Sequence, residues 1–139
     1  MRRSLVLLTV LALLSGLVAC ANPAGPRDRA ALLQGHEWVV EDIDGKGVVD
    51  GSRATLNFGA DGRLAGRGSC NSYFAKYTLT GEGLTVAQAG GTMMACAPAL
   101  MGQEALFLEV LRNVRRFDLS DDGALVLRTD DGRTITARR

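Results

Sequence analysis

Cys70 sits in the run Gly66-Arg67-Gly68-Ser69-Cys70-Asn71-Ser72-Tyr73, a thiol flanked by small residues, an amide and a phenol. Such a cysteine can serve as nucleophile, metal ligand or half of a disulfide. A nucleophilic cysteine needs a base, usually histidine, to be useful at neutral pH. The single histidine, His36, lies far upstream at the start of a strand-like run, and no sequence feature pairs it with Cys70. A closed zinc site needs four ligands, which two spaced cysteines and one distant histidine do not supply. Ser69 is no better placed, because Asn71 stands where the second glycine of a Gly-x-Ser-x-Gly elbow belongs. No catalytic residue, metal set or cofactor motif emerges, and the chain reads as a non-enzyme.

Cys20 has a different setting. Arg2 and Arg3 precede an apolar stretch, Leu5 to Leu14, broken by Thr9, and Leu17-Val18-Ala19-Cys20 follows. Charge, apolar length and a small-residue exit make a secretory signal peptide. The stretch is short for a membrane span of about 20 residues. Its last four residues resemble the bacterial lipobox, which implies removal of residues 1–19 and lipidation at Cys20. Three acyl chains hold firmly where one binds marginally. Ala21 rather than Asp follows the cysteine, which by resemblance to lipoprotein sorting favours the outer membrane, with the domain facing the periplasm. The alternative is an ordinary leader cut near Ala19, with Cys20 incidental. With Cys20 acylated, Cys70 and Cys96 remain in an oxidising compartment and are expected to bond. Closing that loop is worth roughly 3 kcal/mol.

Residues 20–31 hold two of the three prolines among small and polar residues and read as a lipid-anchored tether. Residues 32–139 then form one domain, expected to be monomeric. Sixteen Lys and Arg, less Arg2 and Arg3, leave 14 basic residues against 15 acidic ones, both signs scattered. Nucleic-acid binding needs a basic stripe, and there is none.

Short alternating runs separated by Gly and Asp dominate this domain. Apolar residues alternate at Ala54-Leu56-Phe58, Tyr77-Leu79, Phe117-Leu119, Leu125-Leu127 and Ile135-Ala137. Asp-Gly steps between runs supply the positive φ of tight hairpins. The pattern predicts a mainly β (α+β) fold, an antiparallel meander of about eight strands curled into a small barrel-like sheet, since closure removes exposed edges. One amphipathic helix near residues 98–113 interrupts it, with Leu100, Phe107, Leu108, Leu111 and Val114 at helical spacing. Pro98 suits its first turn, while Gly102 costs it about 1 kcal/mol against Ala. This helix is expected to cover one end or side of the sheet. Trp38, Phe58, Tyr77, Phe107 and Leu111 are the expected core.

Other groups have ordinary uses. The Asp-Gly repeats lack the calcium-loop spacing and its closing Glu. Glu37, Glu41 and Asp42 lie on a strand whose alternation puts the first two on one face, with nothing marking them as buried. Met93, Met94 and Met101 could serve a soft metal such as Cu(I), but the commoner use of Met is to fill core gaps. Asn71 and Tyr73 are the candidate binding residues, although Asn beside a disulfide often fixes a turn.

Taken together, the runs Ala60–Leu79, Thr92–Cys96 and Glu104–Leu127 resemble the META domain, the family of the bacterial heat-shock protein HslJ. The matching positions are Leu33, Gly35 and Trp38; Asp61, Gly62, Gly66, Cys70, Asn71 and Tyr73; Thr92, Met94, Ala95 and Cys96; and Glu104, Phe107, Leu108, Leu111 and Val114. Ser69 and Ala75 depart from it, standing where glycine is usual. The resemblance implies a small β-rich barrel with one helix, often exported or lipid-anchored and associated with envelope stress, with no established catalytic activity. The expected function is therefore a lipid-anchored envelope module for an unidentified envelope protein. A carrier of a small apolar ligand in a calycin-like barrel is the alternative, and a thiol-redox or cysteine-dependent enzyme a third. The filling of the barrel separates the first two.

Overall fold

The computed structural model describes residues 25–139. Cys20, the leader and the first residues of the expected tether lie outside them. The elements are α1 (Pro26–Leu33), β1 (Glu37–Ile43), β2 (Thr55–Phe58), β3 (Arg63–Arg67), β4 (Ser72–Thr80), β5 (Gly83–Val86), β6 (Gly90–Gly91), α2 (Pro98–Arg112), β7 (Val114–Leu119), β8 (Leu125–Thr129) and β9 (Thr134–Arg138).

Eight of the nine strands close into an antiparallel barrel, in the order β3-β2-β1-β9-β8-β7-β5-β4 and back to β3. Sequence neighbours pair with each other around the ring, and β1 meets β9 with Val40 opposite Ala137. The expected meander is therefore present and shut by its own two ends. β6 is the extra strand, two residues that continue the β5 side of β4 with Gly91 opposite Tyr73. Between β6 and β7 the chain leaves the sheet to form α2.

Period-two alternation directs the packing. In β4, Tyr73, Ala75 and Tyr77 point inward while Ser72, Phe74, Lys76 and Thr78 face water. Trp38, Leu56, Leu64, Leu84, Phe117, Leu125, Leu127 and Ile135 are all fully buried. Each side chain of this size stabilises by roughly 1.5–3 kcal/mol on burial. The five expected core residues are all inside. Asp-Gly steps turn the hairpins as expected: Gly123 and Gly132 adopt φ of 80° and 88° in the last two. Ser120 and Thr129 hydroxyls bond the Asp122 and Asp131 carboxyls within those turns.

A helix closes each end of the barrel. At one, α2 buries Phe107, Val110 and Leu111, with the Phe107 ring 5.5 Å from that of Tyr73. At the other lies α1, and here the expectation is corrected: from Pro26 onward the supposed tether is a folded helix. Pro26 suits the first turn, and the Asp28 carboxyl accepts from the Gly25 N–H at 3.2 Å. Leu33 is fully buried, and its carbonyl accepts from Trp38 Nε1 at 2.9 Å. The Arg29 guanidinium stacks on Phe117 at 4.5 Å and donates to the carbonyls of Glu82 and Phe117.

Candidate functional site

The Cys70 run forms the β3–β4 turn, at the barrel end that α2 closes. Gly68 N–H donates to the Asn71 carbonyl at 2.7 Å, folding Ser69 and Cys70 into a tight loop. The loop's outward N–H groups converge on one side chain of α2. Glu104 Oε2 accepts from Cys70 N at 3.0 Å and Asn71 N at 2.6 Å, while Oε1 accepts from Asn71 Nδ2 at 2.8 Å. Glu104 is 8% exposed. A buried acidic group is tolerable only when bonded, and here three donors meet it.

Gly68 makes this approach possible. A Cβ there would lie 2.8 Å from both Cγ and Oε2 of Glu104. Gly66 does the same for the crossing of β3 over β2, where a Cβ would meet the Thr55 carbonyl at 2.1 Å. Ser69 is the counter-case, a non-glycine at φ 131°. That backbone region costs of order 1–3 kcal/mol for a side chain. Its hydroxyl accepts from Gln103 Nε2 at 2.6 Å, which offsets part of that cost. Gln103 also binds Ser52 Oγ at 2.9 Å and the Val49 N–H at 2.5 Å. Thus α2 grips both the β1–β2 and β3–β4 loops. The other departure, Ala75, is buried in the barrel wall opposite Leu64.

Asn71 and Tyr73, the candidate binding residues, are both buried. Asn71 donates its two amide hydrogens to Glu104 Oε1 and the Met94 carbonyl, and Oδ1 accepts from Met94 N and Thr92 Oγ1. Those four bonds exhaust an amide's capacity. Tyr73 is buried, its hydroxyl donating to the Thr55 carbonyl at 2.8 Å. Burial pushes its phenol well above the ordinary tyrosine pKa. Asn71 thus ties the turn to the Thr92–Met94 segment and to α2, and Tyr73 ties β4 to β2.

Cys70 and Cys96 are brought together, their Cα atoms 6.1 Å apart and their sulfurs at bonding distance. His36 is at the opposite end of the barrel, against Trp38 and Arg139, so no Cys–His pair forms. The carboxyls of β1 are separated as well. Glu37 pairs with Arg53, whose hydrogen bond lowers the Glu37 pKa. Glu41 pairs with Arg138, and Asp42 accepts from the N–H groups of Gly45 and Gly47.

Glu104 enters the sequence reading only as a position of the family resemblance and not as a candidate site residue. It stands in the apolar stripe of α2, three residues before Phe107 and four after Leu100. A lone acid in a buried stripe is the signal that could have marked it.

Clefts lie on the outside of the barrel. One of about 520 Å³ runs between the Lys46–Asp50 loop and the Ala99–Leu106 side of α2. A second, about 810 Å³, surrounds Phe74 on the outer face of β4. A third, about 290 Å³, is bordered by Met93, Met94 and Met101.

Comparison with known proteins agrees with this architecture. The META domain family model matches residues 31–139, one residue before the expected domain start. An NMR structure of a protein from Burkholderia xenovorans is similar at 24% identity and a TM-score of 0.65, covering 94% of this chain and 98% of that one. A second NMR structure matches at 27% identity and a TM-score of 0.62, over 78% of this chain and 92% of its own. The crystal structure of a DUF4847 family protein from Bacteroides vulgatus shares the fold at 15% identity and a TM-score of 0.57, over 80% and 97%. No curated protein matches. The chain belongs to the META domain family.

Proposed function

We propose that this META-domain chain is a non-enzymatic, lipid-anchored module of the cell envelope. Acylated at Cys20, it holds a rigid barrel on the periplasmic side of the outer membrane. As a monomer it presents that barrel to an envelope protein, in the stress-associated setting that the family resemblance implies. Anchoring is supported by the basic and apolar leader ending in Leu17-Val18-Ala19-Cys20. A disulfide between Cys70 and Cys96 belongs to the same reading, since an exported pair at bonding distance is expected to be oxidised.

The observation that carries the binding-module reading is the engagement of the eligible polar groups. The polar atoms of Asn71, Glu104 and Tyr73 are bonded to one another, to the turn backbone or to a neighbouring strand. A carrier of an apolar ligand needs an interior hollow, whereas Trp38, Leu56, Leu84, Phe117 and Leu127 occupy the centre. Thiol-redox chemistry is the third reading, and it requires Cys70 and Cys96 to cycle.

Metabolic labelling with a fatty acid tests the anchor. Label should enter the wild type and be absent from Cys20→Ser; equal labelling of both removes the lipoprotein reading. Alkylation of protein taken directly from the envelope tests the thiols. Stoichiometric modification of Cys70 and Cys96 without reductant returns the redox reading.

A further inference from the structure

We propose that Met93, Met94 and Met101 form a binding site for a soft monovalent cation, Cu(I) or its redox-inert analogue Ag(I). The chain has four methionines, one of them Met1 of the leader. The other three border a single cleft of about 290 Å³ beside the end of the barrel that α2 closes. The expectation that methionines fill core gaps fails completely here: the core is Leu, Ile, Val, Ala and aromatic, with no Met among its buried residues. Instead the three are 97%, 56% and 39% exposed.

An apolar side chain left in water gains none of the stabilisation of burial. Three of them around one cleft therefore need another use. What Met has and Leu lacks is a polarizable thioether sulfur, a ligand that selects Cu(I) among biological cations. Among the described residues no group of His, Cys, Asp or Glu offers a competing metal site. The cysteines beside the cleft are at bonding distance from each other. Asn71 and Glu104, which also border it, already bond one another and the turn.

The backbone that carries these sulfurs is held in place. Asn71 bonds both the N–H and the carbonyl of Met94, fixing the extended segment that carries Met93 and Met94. Met101 is in the first turn of α2, and Gln103 and Glu104, two and three residues on, tie the start of the helix to Ser69, Cys70 and Asn71. The two methionine-bearing segments are thus locked to the same β3–β4 turn. Anchored supports lower the cost of gathering flexible donors around an ion.

The test is titration of the purified full-length chain, disulfide intact, with silver nitrate in chloride-free buffer. Cys20→Ser serves as background so that an unacylated thiol does not compete. With methyl-¹³C methionine, the ε-methyl signals of Met93, Met94 and Met101 should move together and saturate at one Ag(I) per chain. The Met93→Leu/Met94→Leu/Met101→Leu variant keeps the apolar character, and circular dichroism checks its fold. It should lose the saturable one-to-one binding of Ag(I), because Leu offers no thioether sulfur. Three results overturn the proposal: no methyl shift at micromolar Ag(I), undiminished uptake by the triple variant, or uptake that appears only after Cys70 and Cys96 are reduced. An apolar docking patch would leave the triple variant fully competent for its partner and the wild type indifferent to silver.

Discussion

The two ends of the barrel are closed by different physics. At the α1 end the helix sinks one apolar residue, Leu33, and lays the Arg29 guanidinium over Phe117. Around it are exposed ion pairs such as Arg138–Asp122 and Arg138–Glu41, which water and salt screen so that they contribute little. At the α2 end a buried acid, an amide and backbone N–H groups form a network beside the Cys70–Cys96 pair. A stack of apolar and cation–π contacts weakens gradually as pieces are removed. A satisfied polar network fails abruptly, because each lost partner strands another group away from water. The α2 end should therefore tolerate substitution far less than the α1 end.

The largest effect is expected from Glu104→Ala. It leaves Cys70 N, Asn71 N and Asn71 Nδ2 without their acceptor, for a loss of about 3–5 kcal/mol, measured by urea unfolding. Removing the Cys70–Cys96 link by paired Ser substitution should cost roughly 3 kcal/mol in the same assay. An unchanged midpoint there would mean that the sulfurs are not bonded in the folded protein. At the other end, Arg29→Ala should cost only about 1–2 kcal/mol, the worth of a cation–π contact with its carbonyl bonds. A loss equal to that of Glu104→Ala would erase the contrast between the ends.

The smallest effect concerns pH at the β8 hairpin. Bonding from the Ser120 hydroxyl first, and from Arg138 second, lowers the Asp122 pKa to about 2. A depressed folded-state value means that its contribution is complete above the ordinary aspartate range near ~4 and is lost as pH falls towards 2. An NMR titration of the Asp122 carboxyl should show the low midpoint, and Ser120→Ala and Arg138→Ala should each raise it. A midpoint that neither substitution moves would remove these bonds as its cause.

How far the sequence foretells this molecule follows the same division. Strands announce themselves because alternation and Asp-Gly turns are local features, so Ala54-Leu56-Phe58 and Leu125-Leu127 were placed on the correct face. Helix α2 is long enough for its period to show. By contrast α1 is eight residues with one fully buried leucine, too short for periodicity to outweigh Pro26 and the small residues before it. Cys70 and Cys96 were expected to pair from the leader-like start and the cysteine count, and the fold puts their sulfurs at bonding distance. Asn71 and Tyr73 were legible as special yet not as buried, because their partners come from β2, the Thr92–Met94 segment and α2. The exposure of Met93, Met94 and Met101 was hidden for a related reason. Period-based rules assign apolar residues to the core, and an irregular segment such as 92–97 has no period to apply.

The central claim is that Asn71 and Glu104 act as one structural clamp rather than as a site awaiting a ligand. A double-mutant cycle of Asn71→Ala and Glu104→Ala, followed by urea unfolding, measures it most directly. A clamp predicts strong coupling: the double variant should be little less stable than the worse single one, with an interaction energy of about 1–3 kcal/mol. Additivity within about 0.5 kcal/mol would contradict the account, leaving Asn71 as a group whose purpose lies outside the fold.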